Sequence, residues 1–96
     1  MVLLFEWDPK KERSNFAKHG VSFKEASTAF QDVQSLTIFD PLHSADEDRF
    51  VLIGQSCENQ LLVVVHTDRG NRIRIISARR ATKRERKVYE KKAPRS

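Results

Sequence analysis

Apolar residues along the 96-residue chain recur with two different periods, which divide it into eight segments. Leu3, Leu4, Phe5 and Trp7 read as a short strand. Asp8-Pro9 opens a helix, because an aspartate caps free backbone amides and proline suits the first helical position. Phe16 and Ala17 are expected on its apolar face. Gly20 should end it in a left-handed conformation, with Lys18 and His19 in the last turn, where positive charge is favoured. Ser22-Phe23-Lys24-Glu25 is a capping box that starts a second short helix with Phe23, Ala26 and Phe30 inward.

The period then shortens. Leu36-Thr37-Ile38-Phe39 reads as a strand ended by Asp40-Pro41, and an acidic loop through Asp46-Glu47-Asp48 leads into a strand over Arg49-Phe50-Val51-Leu52-Ile53. Gly54 to Asn59 form a polar turn. Leu61 to His66 is nearly continuous in apolar residues, as in a strand covered on both faces. Asp68-Arg69-Gly70 is expected to make a hairpin turn into Arg72-Ile73-Arg74-Ile75-Ile76-Ser77. Alternation there puts Ile73 and Ile75 on one face and Arg72 and Arg74 on the other. Thr82-Lys83-Arg84-Glu85 is a second capping box, opening a basic helix that runs to about Lys91 and breaks at Ala93-Pro94. Successive strands joined by short turns imply an α+β domain: a small antiparallel sheet, two N-terminal helices and one C-terminal helix, in the order β-α-α-β-β-β-β-α. No repeat or linker divides residues 1–96, so a single domain is expected.

Charge is the most informative bulk property. Residues 1–68 carry 6 basic and 11 acidic side chains, and residues 69–96 carry 12 basic and 2 acidic. A polyanion-binding C-terminal third is the expectation, against the alternative of a solvated basic helix with no partner. The single cysteine, Cys57, cannot form an internal disulfide, which suits a reducing cytoplasm, and it reads as a loop residue. The start of the chain turns acidic after four apolar residues, so no signal peptide is expected, and no apolar run is long enough for a membrane span. His19, His43 and His66 lack metal-ligand spacing, and no phosphate loop, dinucleotide-binding glycine pattern or serine elbow is present. No metal or cofactor is expected.

The remaining candidate chemistry is the arginine pattern. Arg72 and Arg74 share a face, and Arg79 and Arg80 follow just before the capped helix. Arginine is always charged and its fork fits phosphate oxygens, while the first turn of a helix adds free amides at the same corner. His66 closes its strand on the face of Leu62 and Val64, and it either transfers protons or is a hydrogen-bonded strand-end residue. Glu47 is a candidate general base or an ion-pair partner in a solvated loop, and Arg49 a substrate contact. Tyr89 either packs the last helix on the sheet or faces substrate, with packing favoured. Trp7 reads as core and His19 as a helix-end residue.

Taken in order, several segments resemble the BrnT toxin family, part of the RelE-like ribonuclease toxins. They are Phe5-Glu6-Trp7-Asp8-Pro9, Lys18-His19-Gly20-Val21-Ser22-Phe23, Glu47-Asp48-Arg49-Phe50, Leu62 to Thr67, and Arg72 to Ala81 with Glu85-Arg86 and Tyr89. The Ile-Ile-Ser-Ala-Arg-Arg-Ala stretch is the most specific of them. The resemblance implies a RelE-type fold and a metal-independent endoribonuclease that cuts RNA through its own 2′-hydroxyl and blocks translation in the cytoplasm. It also implies a BrnA-type antitoxin partner, which contacts operator DNA on the toxin's behalf. Arg79, His66, Glu47, Arg49 and Arg74 are then the expected catalytic positions, and Arg72, Arg80, Lys83, Arg84 and Tyr89 the expected RNA contacts. A non-catalytic RNA-binding or regulatory module, such as a degenerate toxin, is the alternative; a small protein-interaction domain fits the basic third less well.

Overall fold

The computed structural model describes residues 3–45 and 47–92; Asp46 and the helix stop expected at Ala93-Pro94 lie outside the described residues. Strand β1 (Leu4–Glu6) is followed by helices α1 (Pro9–His19) and α2 (Phe23–Thr28). Strands β2 (Leu36–Asp40), β3 (Arg49–Gln55), β4 (Leu61–Arg69) and β5 (Arg72–Arg80) come next, and helix α3 (Lys83–Lys92) closes the described fold. Short 3-10 turns cover Ala29–Gln31 and Pro41–His43.

The helix ends are set by local chemistry. Asp8 accepts a hydrogen bond from the Lys10 amide at 2.9 Å, with Pro9 in the first turn of α1. Gly20 ends that helix at φ 70°, a left-handed conformation that glycine adopts without steric cost. Ser22 accepts from the Glu25 amide at 3.0 Å and opens α2. Thr82 and Glu85 form a reciprocal box: the Glu85 amide donates to Thr82 Oγ1 at 3.2 Å, and the Thr82 amide to Glu85 Oε1 at 2.8 Å.

The five strands lie in the order β1-β5-β4-β3-β2. Strands β2 to β5 form the expected antiparallel meander, but β1 runs parallel to β5, with Leu4 opposite Arg72 and Glu6 opposite Arg74. The sheet is therefore mixed, not antiparallel throughout. The cause is topological: α1 and α2 carry the chain away from β1, and its partner arrives more than sixty residues later, beyond the reach of a local pattern. The β4–β5 turn is Gly70-Asn71, one step later than expected, and β5 continues past Ser77 to Arg80.

The two faces are covered unequally. On the inner face, α2 packs Phe23 and Ala26, with Val21 and Ala29, against Leu52, Leu62, Val64, Ile75 and Ala78, and Phe5, Trp7 and Phe30 flank them. Gly54 permits this approach, because a β-carbon there would sit 2.8 Å from the Ala29 carbonyl oxygen. On the outer face, Tyr89 of α3 covers only Ile53, Leu61 and Val63, with Leu36, Val51 and Ala81 at the margin. The inward residue of α1 is Asn15 rather than Phe16 or Ala17, both of which are exposed. Asn15 Nδ2 donates to the Ala78 and Val21 carbonyls at 2.8 and 3.2 Å, and its Oδ1 accepts from the Ala78 amide at 3.1 Å. A polar residue holds this buried position because it fastens α1 to the backbone of β5, which an apolar side chain cannot do.

Candidate functional site

A bulge in β5 decides which arginines come together. Val65 pairs with Ser77 but His66 pairs with Ile75, so Ile76 is an extra residue and the alternation resets there. Arg74 opposes Thr67, and Arg79 opposes Val63. Thr67 and Val63 lie four residues apart on β4 and share a face, so Arg72, Arg74 and Arg79 all project from the outer face. Arg80 opposes Leu62 and projects from the inner face.

Reading across the sheet at Thr67 gives a row that spans all five strands. Asp40 opposes Arg49, Arg49 opposes Thr67, Thr67 opposes Arg74, and Arg74 opposes Glu6. All five positions belong to the outer face, beyond the area that Tyr89 covers. Adjacent strands lie about 4.8 Å apart, so the backbones of Arg49 and Arg74 are roughly 10 Å apart, a span that two arginine side chains can close on one anion. Arg74 Nη1 donates to Glu6 Oε2 at 3.1 Å. The Arg49 amide donates to Ser44 Oγ at 2.9 Å, and Ser44 donates to the Asp40 carbonyl. The start of β3 is thereby held against the end of β2.

Arg79 is held differently. Its two terminal nitrogens each donate to a Glu85 carboxylate oxygen at 2.7 Å, a parallel fork at the first turn of α3. The hydrogen bonds from Arg79 hold the Glu85 carboxyl down to about 2, and the same contact raises the Arg79 pKa above its ordinary value. Glu85 thus fills the anion position offered by Arg79 and the α3 amides. Lys83 and Arg84 are exposed in the same turn.

Other candidate residues lie apart from the row. His66 is buried on the inner face, its ring 4.8 Å from that of Phe30 and 5.9 Å from that of Phe50, with Nδ1 against the Val64 carbonyl at 3.3 Å. Burial lowers its pKa, so the neutral ring is favoured. The sheet separates it from Arg49, Arg74 and Arg79. Glu47 lies in the exposed loop before β3 and accepts from Arg69 Nη2 at 3.1 Å. Arg80 Nε donates to Gln60 Oε1 at 2.6 Å, and Gln60 in turn donates to Glu25, whose carboxylate also accepts from Ser56. Tyr89 is buried and donates to Asp32 Oδ2 at 2.6 Å. Burial, aided by Asp32, pushes its hydroxyl up to about 12. Burial would raise Asp32 as well, but the Tyr89 hydroxyl and the Gln55 and Gln34 amides outweigh it and keep that carboxyl below its usual range.

Glu6, Asp40 and Thr67 complete the row without having stood out in the sequence. Glu6 carries a weak signal, since alternation in β1 sets it on the opposite face from Phe5. Asp40 and Thr67 become visible only through strand register. Among the described residues, no three His, Cys, Asp or Glu side chains gather as a metal site would require, and no helix is long and apolar enough to cross a membrane.

A family model described as the ribonuclease toxin BrnT of type II toxin–antitoxin systems matches residues 7–85. The crystal structure of the Brucella abortus ribonuclease toxin BrnT, determined at 1.1 Å, superposes with a TM-score of 0.62 at 25% sequence identity, covering 85% of this chain and 100% of the other. Among curated proteins none matches.

Proposed function

The chain belongs to the BrnT family of ribonuclease toxins of type II toxin–antitoxin systems, and from that premise we propose that its outer sheet face cuts RNA without a metal ion and so blocks translation in the cytoplasm. The observation that carries this is the row Arg49–Thr67–Arg74, continued along β5 to Arg79 by the bulge at Ile76. The RNA backbone lies along these arginines, with Arg72, Lys83 and Arg84 at the ends of the track.

The reaction needs three things. The 2′-hydroxyl must lose its proton as it attacks the neighbouring phosphorus, the extra negative charge on the phosphorane must be stabilised, and the departing 5′-oxygen must gain a proton. Arg49, Arg74 and Arg79 supply the second, the phosphate competing with Glu6 for Arg74 and with Glu85 for Arg79. Glu6, at the β1 end of the row, and Glu47, in the loop before β3, are the carboxylates that can take the proton of the 2′-hydroxyl, and the carboxyl so formed, or solvent water, gives one to the departing 5′-oxygen. Glu85 is a weak base, because its carboxyl is held at about 2. His66 takes no part in this reading, as its ring is on the other side of the sheet. Tyr89 holds α3 in place rather than touching RNA.

We also read the fold as RelE type, and the partner as a BrnA-type antitoxin that covers the basic face and reaches operator DNA itself. The test is incubation of purified total RNA with the purified protein in excess chelator, with analysis of product ends. Fragments ending in 2′,3′-cyclic phosphate are expected. Binding of RNA without any cleavage, alone or on translating ribosomes, would instead leave a non-catalytic RNA-binding module.

A further inference from the structure

Among the described residues, Thr67 Oγ1 is the one buried side-chain polar atom with no hydrogen-bond partner. Thr67 is 0% exposed, although it lies in the polar end of β4, between His66 and Asp68 and beyond the apolar run Leu61 to Val65. A valine has the same shape and would pack there without leaving a hydroxyl unpaired, which costs stability. A buried polar atom in this state asks for a partner that arrives from outside the fold.

The neighbours of that hydroxyl identify the partner. The residues directly opposite Thr67 on either side are Arg49 and Arg74, and side chains so placed have β-carbons about 5 Å apart. Beyond each arginine stands a carboxylate, Asp40 on one side and Glu6 on the other. Positive charge is therefore greatest at the centre of the row, above Thr67. The site offers two guanidiniums and one hydroxyl, and a bound phosphate competes with Glu6 for Arg74, which that carboxylate holds at 3.1 Å.

We propose that Thr67 is a ligand of one RNA backbone phosphate, its Oγ1–H donating to a non-bridging oxygen while Arg49 and Arg74 clasp the same group. This rests on reading the outer face as the RNA-binding face. Because Thr67 is 0% exposed, the phosphate reaches the hydroxyl only when neighbouring side chains turn outward, and binding by Arg49 and Arg74 would draw theirs away from the sheet. The hydroxyl also fixes where the phosphate sits, since it alone of the three donors is on a short side chain.

The test is binding of a 2′-O-methyl RNA oligonucleotide, which lacks the attacking hydroxyl, to the wild type and to Thr67→Val, Thr67→Ser and Thr67→Ala, with thermal unfolding of each. Thr67→Val should bind about ten-fold or more weakly, as expected for loss of a hydrogen bond to a charged group, and should melt at the same temperature or higher. Thr67→Ala should bind as weakly while melting lower, and Thr67→Ser should bind nearly as the wild type does. Wild-type affinity in Thr67→Val, or affinity that follows melting temperature across the series, overturns the proposal and leaves the RNA-binding face standing. Failure of the wild type to bind the oligonucleotide at low salt removes both.

Discussion

Arg74 and Arg79 lie on the same face of the sheet although their odd spacing along β5 should oppose them; the extra residue at Ile76 resets the alternation between them. The same reset sends Arg80 to the inner face, where it is bound to Gln60. Adjacent arginines in sequence therefore have different surroundings, and mutation should separate them.

Arg79→Ala should reduce RNA cleavage by about 10²-fold, the scale found when one preorganised donor is lost. Arg80→Ala should reduce it far less. Rates measured under single-turnover conditions check this, with melting temperatures recorded to show that both variants are folded.

Binding should be salt-dependent. If Arg72 and Arg79 each neutralise a phosphate of single-stranded RNA and Arg49 and Arg74 share a third, the slope of log affinity against log salt should be roughly −2. Arg72→Ala should make it shallower by about 0.7. A titration of uncleavable RNA across a series of salt concentrations measures both slopes.

Glu85 links stability to acid. Its carboxyl is held at about 2 in the fold, against an ordinary value of 4.5. A depressed carboxyl contributes stability that is complete above the unfolded value and is lost as pH falls through the folded one. Unfolding free energy should therefore decline between about pH 4.5 and pH 2. Because both partners are partly exposed, the amplitude is reduced by solvent screening. Glu85→Gln should flatten that part of the curve in urea titrations at stepped pH.

His66 acts in a higher range. Its folded pKa is lowered by burial from an ordinary 6.5, so the unfolded chain takes up the proton first. Stability should begin to fall as pH drops through 6.5 and continue falling until the folded ring also protonates. His66→Phe should remove this dependence, as seen in the same urea titrations between pH 7.5 and 5.

Asn15→Leu should cost about 2–4 kcal/mol, because it leaves the Ala78 amide and two carbonyls buried without their partner. Equilibrium urea unfolding monitored by Trp7 fluorescence measures it.

The local signals were legible in the chain. Asp8, Gly20, Ser22 and the Thr82–Glu85 box act through neighbours a few residues away, so spacing alone reveals them. The alternation of Ile73 and Ile75 with Arg72 and Arg74 likewise set their faces. What stayed hidden depended on partners distant in sequence. The parallel pairing of β1 with β5 brings Glu6 to Arg74 across almost seventy residues, and no local pattern reports that. The bulge at Ile76 was invisible for the same reason: an extra residue exists only relative to the strand opposite. Without it, Arg79 and Arg80 could not be assigned to faces, and Thr67 could not be set between two arginines. Alternation sets His66 on the face of Leu62 and Val64, but which side of the sheet the helices cover is not readable from it. Asn15 gives no signal in the chain, because a polar residue on a helix reads as exposed until its backbone partners are known.

The outer face, not the inner one, is proposed to carry the chemistry. The most direct test is the single-turnover cleavage rate, in excess chelator, of Arg49→Ala, Arg74→Ala and Arg79→Ala beside His66→Asn. Each arginine variant is expected to lose about 10²-fold or more, while His66→Asn cuts at a rate close to the wild type. Undiminished cleavage in the three arginine variants, with activity lost in a folded His66→Asn, would move the site to the other side of the sheet.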